Sequence, residues 1–446
     1  MDSPSSVDLR QLRSICSSFH TECRRCQTSI KVTDPKEHIE TWLAGAQRIP
    51  PASQISGLSC SKCYAATCAG CGFEPSLGQD NVFTSAGVVN TCCPRGRLYG
   101  VWLLLSHFDE QEISARKVES RPRPSKVVKK PKAYPYMPPG TMTEANGIGY
   151  AGGWEAYYDP HHTPAASPFV NPEEECPDDI TTLTLKILTA CIPNRDDSDT
   201  LQAELLCLFR YSLFFDRLAG LIRNDSIADL VERRELYTAV FAFLEEVADH
   251  PDLRSLLFER RLNLKHTPGL GALCTMPEDR LGLMDTLQED RLPSIFAYGI
   301  NIFKQANTFL KMIGKTPQGS GDHSKESIRM CKIVIKVYGK MRQEEVVDLT
   351  STPKLSNQEL WSKYCDDHRV TFTDDVLTLH RFSTQFNALK DSNTKGRLSA
   401  IGKEIANMTT SLPSGIFLKV AESRSDVMKA MIVGIEGTPY AGGLFM

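Results

Sequence analysis

The chain has 446 residues, of which 41% are hydrophobic and 24% are charged, and its formal net charge is −3. This length exceeds that of one compact core and predicts several domains. The near-neutral charge argues against a protein that binds polyanions along its whole length, and no apolar run is long enough to cross a membrane as a helix.

The N-terminus does not have the order of basic and then apolar residues that marks a signal peptide. We therefore expect the protein to work in the cytoplasm or nucleus, where thiols stay reduced. Nine of the fifteen cysteines lie within the first 93 residues. In a reducing compartment, such clustering is typical of metal ligation, whereas single cysteines behave as small buried hydrophobic residues.

Three cysteine pairs with two intervening residues predict metal ligands in residues 1–108. A C-x2-C turn directs both sulfurs at one tetrahedral Zn²⁺, so we expect structural zinc held by Cys23, Cys26, Cys60, Cys63, Cys68 and Cys71. Two such sites need eight ligands. The further candidates are Cys92, Cys93, His20, Cys16 and His38. Buried free thiols are the alternative interpretation of the same cysteines.

The stretch from Cys60 to Gly72 resembles the closing half of RING-like and in-between-RING modules. This resemblance implies a zinc module that binds partners of the ubiquitin pathway, usually E2 enzymes. The histidine usual in the middle of a RING motif is not found here, so the ligand pairing stays open. A ubiquitin-carrying thiol at Cys92 or Cys93 is a further alternative, although the sequence places no histidine base for it.

Residues 109–177 have the composition of a linker, rich in Pro, Gly and Lys. Its basic stretch 121–132 is interpreted either as a solvated linker or as a nuclear import signal. Residues 178–343 carry apolar residues at helical spacing and predict an all-helical domain, with Ser226 and Asp199 as candidate N-caps. A further helical stretch is expected from residue 357 to residue 390.

A short motif lies in the predicted linker and lead-in, residues 344–390. The sequence from Glu344 to Thr350 is similar to a SUMO-interacting motif, in which Val346, Val347, Asp348 and Leu349 would add a strand to the edge of a modifier's sheet. Its acidic residues would meet a basic rim on that modifier. A helix end or a short buried strand is the alternative.

Residues 391–446 predict a helix over 394–408, a strand over Ile416–Val420, a strand over 427–433 and a further strand beginning at Leu444. With the segment Gly-Thr-Pro-Tyr-Ala-Gly-Gly-Leu-Phe at 437–445, this order resembles the opening half of the ubiquitin-conjugating (E2) domain, in the subfamily of large E2 and E2/E3-hybrid proteins. Members of that family carry ubiquitin as a thioester on a cysteine that follows this motif.

The combined expectation is a multidomain α+β protein with an N-terminal zinc-binding module, a central all-helical domain and the N-terminal half of a UBC α/β fold. The resemblance implies partners in the ubiquitin or SUMO pathway, namely an E1, an E2 or E3, or the modifier itself. No catalytic residue is assigned, because no cysteine among the 446 residues matches the thioester position, and we expect the chain as given to form no thioester. A non-catalytic adaptor and an E3-type ligase acting through the zinc module are the alternatives.

Overall fold

The fold is described from a computed structural model. It covers residues 4–30, 55–75, 80–84, 87–119, 178–192, 202–276, 291–313, 322–343, 356–379, 383, 397–434 and 437–445. None of the described helices has the length and hydropathy needed to cross a membrane.

The N-terminal part combines two helices with two short hairpins. Its elements are α1 (Pro4–Ser17), β1 (Gly57–Ser59), β2 (Ala66–Cys68), β3 (Asp80–Thr84), β4 (Gly87–Thr91) and α2 (Pro94–Glu119). Strands β1 and β2 pair antiparallel, as do β3 and β4. Proline at the first position of α2 suits a helix start, because its missing N–H would have no partner there. Helix α2 continues to Glu119, inside the segment predicted to be a linker.

The central part is helical, as the spacing of apolar residues predicts. Its helices are α3 (Asp178–Cys191), α4 (Gln202–Tyr211), α5 (Phe214–Arg223), α6 (Ile227–Glu232), α7 (Arg234–Asp249), α8 (Ser255–Phe258), α9 (Leu270–Thr275), α10 (Ile295–Ile313) and α11 (Asp322–Gln343). Ser226 caps α6 as predicted, since its side chain accepts a hydrogen bond from the Asp229 N–H. Asp199, the other predicted cap, lies outside the described residues.

One hydrophobic core joins the N-terminal helices to the central helices. The same buried cluster includes Leu12 of α1, Leu103 of α2 and Phe243 of α7. Edge-to-face aromatic contacts mark its centre, with ring centroids 5.4 Å apart for Phe108 and Phe214 and 5.3 Å apart for Phe214 and Phe243. Such pairs add about 1 kcal/mol each beyond their burial. Helix α2 therefore belongs to the same packed body as the central helices.

A fully buried carboxylate connects α2 to two other helices. Asp109 Oδ1 accepts hydrogen bonds from Ser212 Oγ at 2.7 Å and from the Leu213 N–H at 2.9 Å. Its Oδ2 accepts from the Leu270 N–H at 2.9 Å. Leu213 precedes α5 and Leu270 begins α9, so one side chain supplies acceptors to two helix N-termini, where backbone N–H groups have no helical partner.

The C-terminal part is a four-stranded sheet with helices on its faces. Its elements are α12 (Asn357–His368), β5 (Val370–Phe372), α13 (Asp375–Leu379), α14 (Arg397–Ser411), β6 (Ile416–Val420), β7 (Met428–Val433) and β8 (Leu444–Phe445). The strand order is β5-β6-β7-β8, with β5 parallel to β6 and the other pairs antiparallel. We call α14 with β6, β7 and β8 the UBC-like unit.

Helix α14 packs between the sheet and the central helices. On the sheet side, Ile405 contacts a cluster that contains Leu418 and Val420. On the opposite side, Gly402 lies against the ring of Phe309 in α10, at 3.5 Å from a Cβ placed on the glycine. At the end of the helix, Thr410 Oγ1 receives a hydrogen bond from Gln305 at 2.6 Å.

The α+β class and the helix–strand–strand order of the UBC-like unit are confirmed. The prediction of continuous helix from residue 357 to residue 390 is wrong, because the helix ends at His368 and Val370–Phe372 forms β5. This strand pairs with β6, which lies more than 40 residues later in the chain. A three-residue strand has no period of its own, and only the distant partner stabilises it.

At about pH 4, substitution Asp109→Ala should lower the free energy of unfolding by about 4 kcal/mol, because it leaves two backbone N–H groups and one hydroxyl buried without their acceptor. Urea unfolding followed by circular dichroism measures this change. Asp252→Ala, at an exposed aspartate, is the control and should change stability by less than about 0.5 kcal/mol. Equal effects of the two substitutions would contradict the role assigned to Asp109.

The same side chain should make stability depend on pH. Burial raises the pKa of Asp109 to about 7 from 3.8, against the opposing effect of its hydrogen bonds. The folded protein therefore holds this proton more tightly than the unfolded chain, so its contribution is full below pH 3.8 and is lost as the pH rises through 7. The stability difference between wild type and Asp109→Ala should shrink over that range. A constant difference would contradict the assignment.

Candidate metal centre

The three C-x2-C pairs adopt the same turn. In each turn, the residue after the second cysteine donates its N–H to the carbonyl of the first cysteine, at 2.8 Å for Gln27, 2.9 Å for Tyr64 and 2.9 Å for Gly72. All three residues have positive φ, at 54°, 58° and 75° respectively. This conformation is costly for residues other than glycine, so its presence at Gln27 and Tyr64 shows that the surrounding turn fixes it.

The first cluster joins the first two pairs. Cys23 Sγ lies 3.4 Å from Cys63 Sγ, and Cys26 Sγ lies 3.6 Å from Cys60 Sγ. All four sulfurs are within 4.8 Å of one another. Sulfurs placed tetrahedrally at 2.3 Å from Zn²⁺ are about 3.8 Å apart. The four thiols therefore nearly have the spacing of a zinc coordination shell.

The second cluster joins the third pair to two adjacent cysteines. Cys68 Sγ lies 3.8 Å from Cys93 Sγ, and Cys71 Sγ lies 3.8 Å from Cys92 Sγ. Cys92 and Cys93 immediately precede α2, whose start at Pro94 fixes their direction. Among the predicted further ligands, the structure thus brings these two into place.

Backbone N–H groups point at the sulfurs in both clusters. The N–H of Arg25 donates to Cys23 Sγ at 3.4 Å, that of Gly70 to Cys68 Sγ at 3.4 Å, and that of Gly96 to Cys93 Sγ at 3.1 Å. Such donors stabilise a thiolate, which is the form that binds metal. They are supplied by the turns and by the first turn of α2, so the backbone is arranged for negative sulfur before any metal is considered.

The cysteine thiols within each cluster differ in pKa. A hydrogen bond from Cys93 lowers the pKa of Cys68 to about 4, aided by backbone N–H groups of Cys71 and Gly70. The same contact raises the pKa of Cys93. In the first cluster, hydrogen bonding to Thr28 lowers the pKa of Cys26 to about 6. A divalent cation would relieve the competition for protons, because it favours deprotonation of every coordinating thiol.

A close backbone approach forms the second cluster. A Cβ on Gly70 would lie 2.1 Å from the Gly96 nitrogen and 2.5 Å from the Arg95 carbonyl carbon. Only glycine allows the third turn to lie directly on the start of α2. This contact sets the separation between the Cys68–Cys71 pair and the Cys92–Cys93 pair.

The remaining candidate ligands are not part of either cluster. His20 is exposed and its ring packs beside Gly72. Cys16 is bonded to Cys274 of α9, with the two Cα atoms 6.1 Å apart. His38 lies outside the described residues, as do the SUMO-interacting-like residues Val346, Val347, Asp348 and Leu349.

The clusters use consecutive cysteine pairs. The first and second pairs form one site, and the third pair and Cys92–Cys93 form the next. A cross-braced RING alternates its pairs between two sites, so this arrangement differs from that topology. The resemblance of residues 60–72 to RING-like modules therefore does not extend to the cross-brace.

Two aromatic side chains extend from the cysteine turns into solvent. Tyr64 follows the second pair and is 86% exposed, and Phe73 follows the third pair and is 73% exposed. Exposed basic residues, Arg25 and Lys62, lie within the first and second turns. We call Tyr64, Phe73, Arg25 and Lys62 the turn surface.

No family model and no solved structure matches the chain. The chain is similar to curated ubiquitin-conjugating enzymes. It is 24% identical over 293 residues to the dual E2 ubiquitin-conjugating enzyme/E3 ubiquitin-protein ligase BIRC6 of Mus musculus. It is 33% identical over 109 residues to the putative ubiquitin-conjugating enzyme E2 39 of Arabidopsis thaliana, and 37% identical over 67 residues to the probable ubiquitin-conjugating enzyme E2 24 of the same plant.

These alignments cover limited shares of the proteins. The mouse alignment includes 56% of this chain and 6% of the relative. The two plant alignments include 23% and 15% of this chain, and 33% and 7% of the relatives. The mouse alignment is much longer than the UBC-like unit, so that likeness extends into other parts of the chain.

Substitution Gly70→Ala should lower the metal content of the second cluster and leave the first cluster loaded, because the added methyl group cannot fit against the start of α2. Bound zinc per chain, measured by inductively coupled plasma mass spectrometry after purification in zinc-containing buffer, should fall from about two to about one.

Gly220→Ala is the matched control, because a Cβ there meets nothing within 4 Å. It should keep the wild-type metal content and slightly stabilise α5. Unchanged zinc in Gly70→Ala would contradict the second site, and near-zero zinc in the wild type would contradict both sites.

Proposed function

We propose that this protein is an E2-related component of ubiquitin or ubiquitin-like transfer. In this proposal, a two-zinc module and the helical body, which comprises α2 and the central helices α3–α11, support the UBC-like unit. The observation that carries the proposal is the order of α14, β6, β7 and β8, together with the similarity to ubiquitin-conjugating enzymes. Zinc has a structural part in this proposal. Four thiolate ligands complete its coordination at each cluster and leave no open position for catalysis.

Thiol chemistry outside the clusters is unfavourable in the described part of the chain. Cys331 is fully buried, and Cys365, which precedes the UBC-like unit, is 2% exposed. Burial raises the pKa of Cys331 to about 12. A buried thiol is a poor acceptor for a ubiquitin C-terminus, because the incoming carbonyl cannot reach it. We therefore propose that the chain takes part in transfer without carrying the modifier on these cysteines.

A ligase-type role for the zinc module is the second candidate, and the turn surface favours it. Aromatic side chains at the centre of an interface, with basic residues beside them, are frequent energetic anchors. Tyr64 and Phe73 would bind an E2 enzyme that carries ubiquitin, as the resemblance of the module to RING-like proteins implies.

We further propose that the protein acts in the cytoplasm or nucleus, where its clustered thiols would stay reduced.

In a reconstituted reaction with E1, ATP, ubiquitin and a panel of E2 enzymes, the wild-type chain should accelerate discharge of at least one charged E2. Tyr64→Ala combined with Phe73→Ala should remove most of this acceleration, because each anchor at such a site contributes about 2 kcal/mol of binding. Gel analysis of the E2–ubiquitin thioester over time measures the effect. Leu360→Ala, at an exposed leucine of α12 outside the UBC-like unit, is the control.

With E1, ATP and ubiquitin alone, the chain should form no adduct that dithiothreitol releases. Such an adduct would mean that the chain itself carries ubiquitin on a cysteine, and it would contradict the proposed role without a thioester. Failure to bind or discharge any charged E2, and failure to bind E1 or ubiquitin, would contradict the ubiquitin-pathway proposal as a whole.

An adaptor role toward SUMO rests on the sequence 344–350. We propose that Val346, Val347 and Leu349 occupy a groove on the modifier while Asp348 and the preceding glutamates meet its basic rim. Val346→Ala with Val347→Ala should weaken SUMO binding about tenfold or more by loss of buried apolar surface. Isothermal titration calorimetry of the full chain with SUMO measures the binding affinity. Val127→Ala with Val128→Ala is the control, and SUMO binding that survives the first pair of substitutions would refute the motif.

A further inference from the structure

A cavity of about 220 Å³ lies among α4, α5, α8 and the segment after α8. Its inner wall is apolar and includes Phe209, Phe215 and Leu256, all of which are buried. Sites for small molecules usually measure about 300–1,000 Å³. A cavity of about 150 Å³ already accepts benzene. This cavity therefore suits one apolar side chain better than a complete small-molecule ligand.

Two of the four arginines that line the cavity are neutralised by carboxylates. Arg210 forms a bidentate pair with Glu259, at 2.8 Å and 2.7 Å. Arg261 pairs with Asp216, and both side chains are largely buried. These pairs form part of the wall, and their charges cancel.

The charges of the other two arginines, Arg260 and Arg291, are not balanced by a carboxylate among the described residues. Arg260 is exposed, and it donates one hydrogen bond to the Arg291 carbonyl at 2.6 Å. Arg291 donates one to the Arg260 carbonyl at 3.1 Å. Within the described ranges, no carboxylate lies within ion-pair distance of either guanidinium. Each has five N–H donors and uses one of them here, so both can bind a carboxylate.

The reciprocal bonds also fix where these charges lie. Backbone hydrogen bonds of 3.0 Å and 2.9 Å join Arg261 and Leu292, directly beside the two arginines. Two otherwise separate segments are thereby held together at the opening of the cavity. The positive charge is thus placed by the backbone next to an apolar cavity, which is an arrangement that recognises an acidic residue adjacent to an apolar one.

We propose that this cavity binds a linear peptide whose apolar side chain enters between Phe209, Phe215 and Leu256 while a neighbouring aspartate or glutamate pairs with Arg260 and Arg291. The site is separate from the zinc clusters and from the UBC-like unit, and it does not depend on the proposed function. It assigns to the helical body the recognition of an acidic peptide segment on another protein.

The probe is a short fluorescein-labelled Gly-Ser peptide that carries one Leu with Asp on both sides, titrated with the full chain and followed by fluorescence anisotropy. Saturable binding that weakens with added salt is expected. A peptide with Ala in place of Leu, and one with Lys in place of Asp, should each bind about tenfold more weakly or worse.

Arg260→Glu with Arg291→Glu should abolish binding of the acidic probe. Arg329→Glu is the matched control, because Arg329 lies on the exposed surface of α11 with its side chain 68% exposed. Leu262→Trp fills the cavity from a partly buried position without removing charge, and it should also abolish binding. Melting temperatures near that of the wild type show that the variants are folded.

Three results would overturn the proposal. One is absence of wild-type binding at millimolar protein, and another is binding that both Leu262→Trp and the double arginine variant leave unchanged. The third is tighter binding to a labelled oligothymidylate than to the peptide, with no dependence on Leu262, which would identify an exposed basic patch for polyanions instead.

Discussion

The carboxylate of Asp109 lies where three segments of the chain meet, and the placement of α2 depends on it. Its oxygens bond to Ser212, Leu213 and Leu270, which lie more than 100 residues away in the sequence. A carboxylate in an apolar core is costly unless its acceptors are used. Here two helix N-termini use them, so the burial of Asp109 holds α5 and α9 in one position relative to α2. The core around Phe108 and Phe214 closes over this connection.

The second metal cluster depends on the same helix at its other end. Cys92 and Cys93 reach the third turn because α2 begins at Pro94 and because Gly70 lies against Gly96. Asp109 fixes α2 against the central core. The thiols of Cys92 and Cys93, directly before α2, are therefore held in a fixed position. The first cluster has a different basis. Cys60 and Cys63 lie in the loop between β1 and β2, and Cys23 and Cys26 lie in a separate turn flanked by the Glu22–Ser29 bridge. Metal at the second cluster would thus stabilise the junction with the helical body.

Features that depend on neighbouring residues could be predicted from the sequence, whereas features that depend on contacts between distant segments could not. The C-x2-C spacing predicts six candidate ligands, and the structure brings these cysteines into two clusters because a single turn places both sulfurs of a pair together. The strand Ile416–Val420 was predicted with its observed bounds, since its residues alternate between two faces. The adjacent Cys92 and Cys93 remained ambiguous, because their role depends on where α2 begins. Strand β5 and the capping by Asp109 were missed, since each is stabilised by partners far away in the chain.

Helix α14 joins the UBC-like unit to the helical body, because it packs against both. Its sheet-facing residues, such as Ile405, are buried against β6, as in any helix that covers a sheet. Its other face carries Gly402 and the fully buried Ala406, and small residues there allow α10 to approach closely. Phe309 of α10, which lies against Gly402, is fully buried. Removing the helical body would expose that apolar face to water, at a cost of about 25 cal/mol for each Å² uncovered. Helix α14 is therefore covered on two sides, by the sheet and by α10.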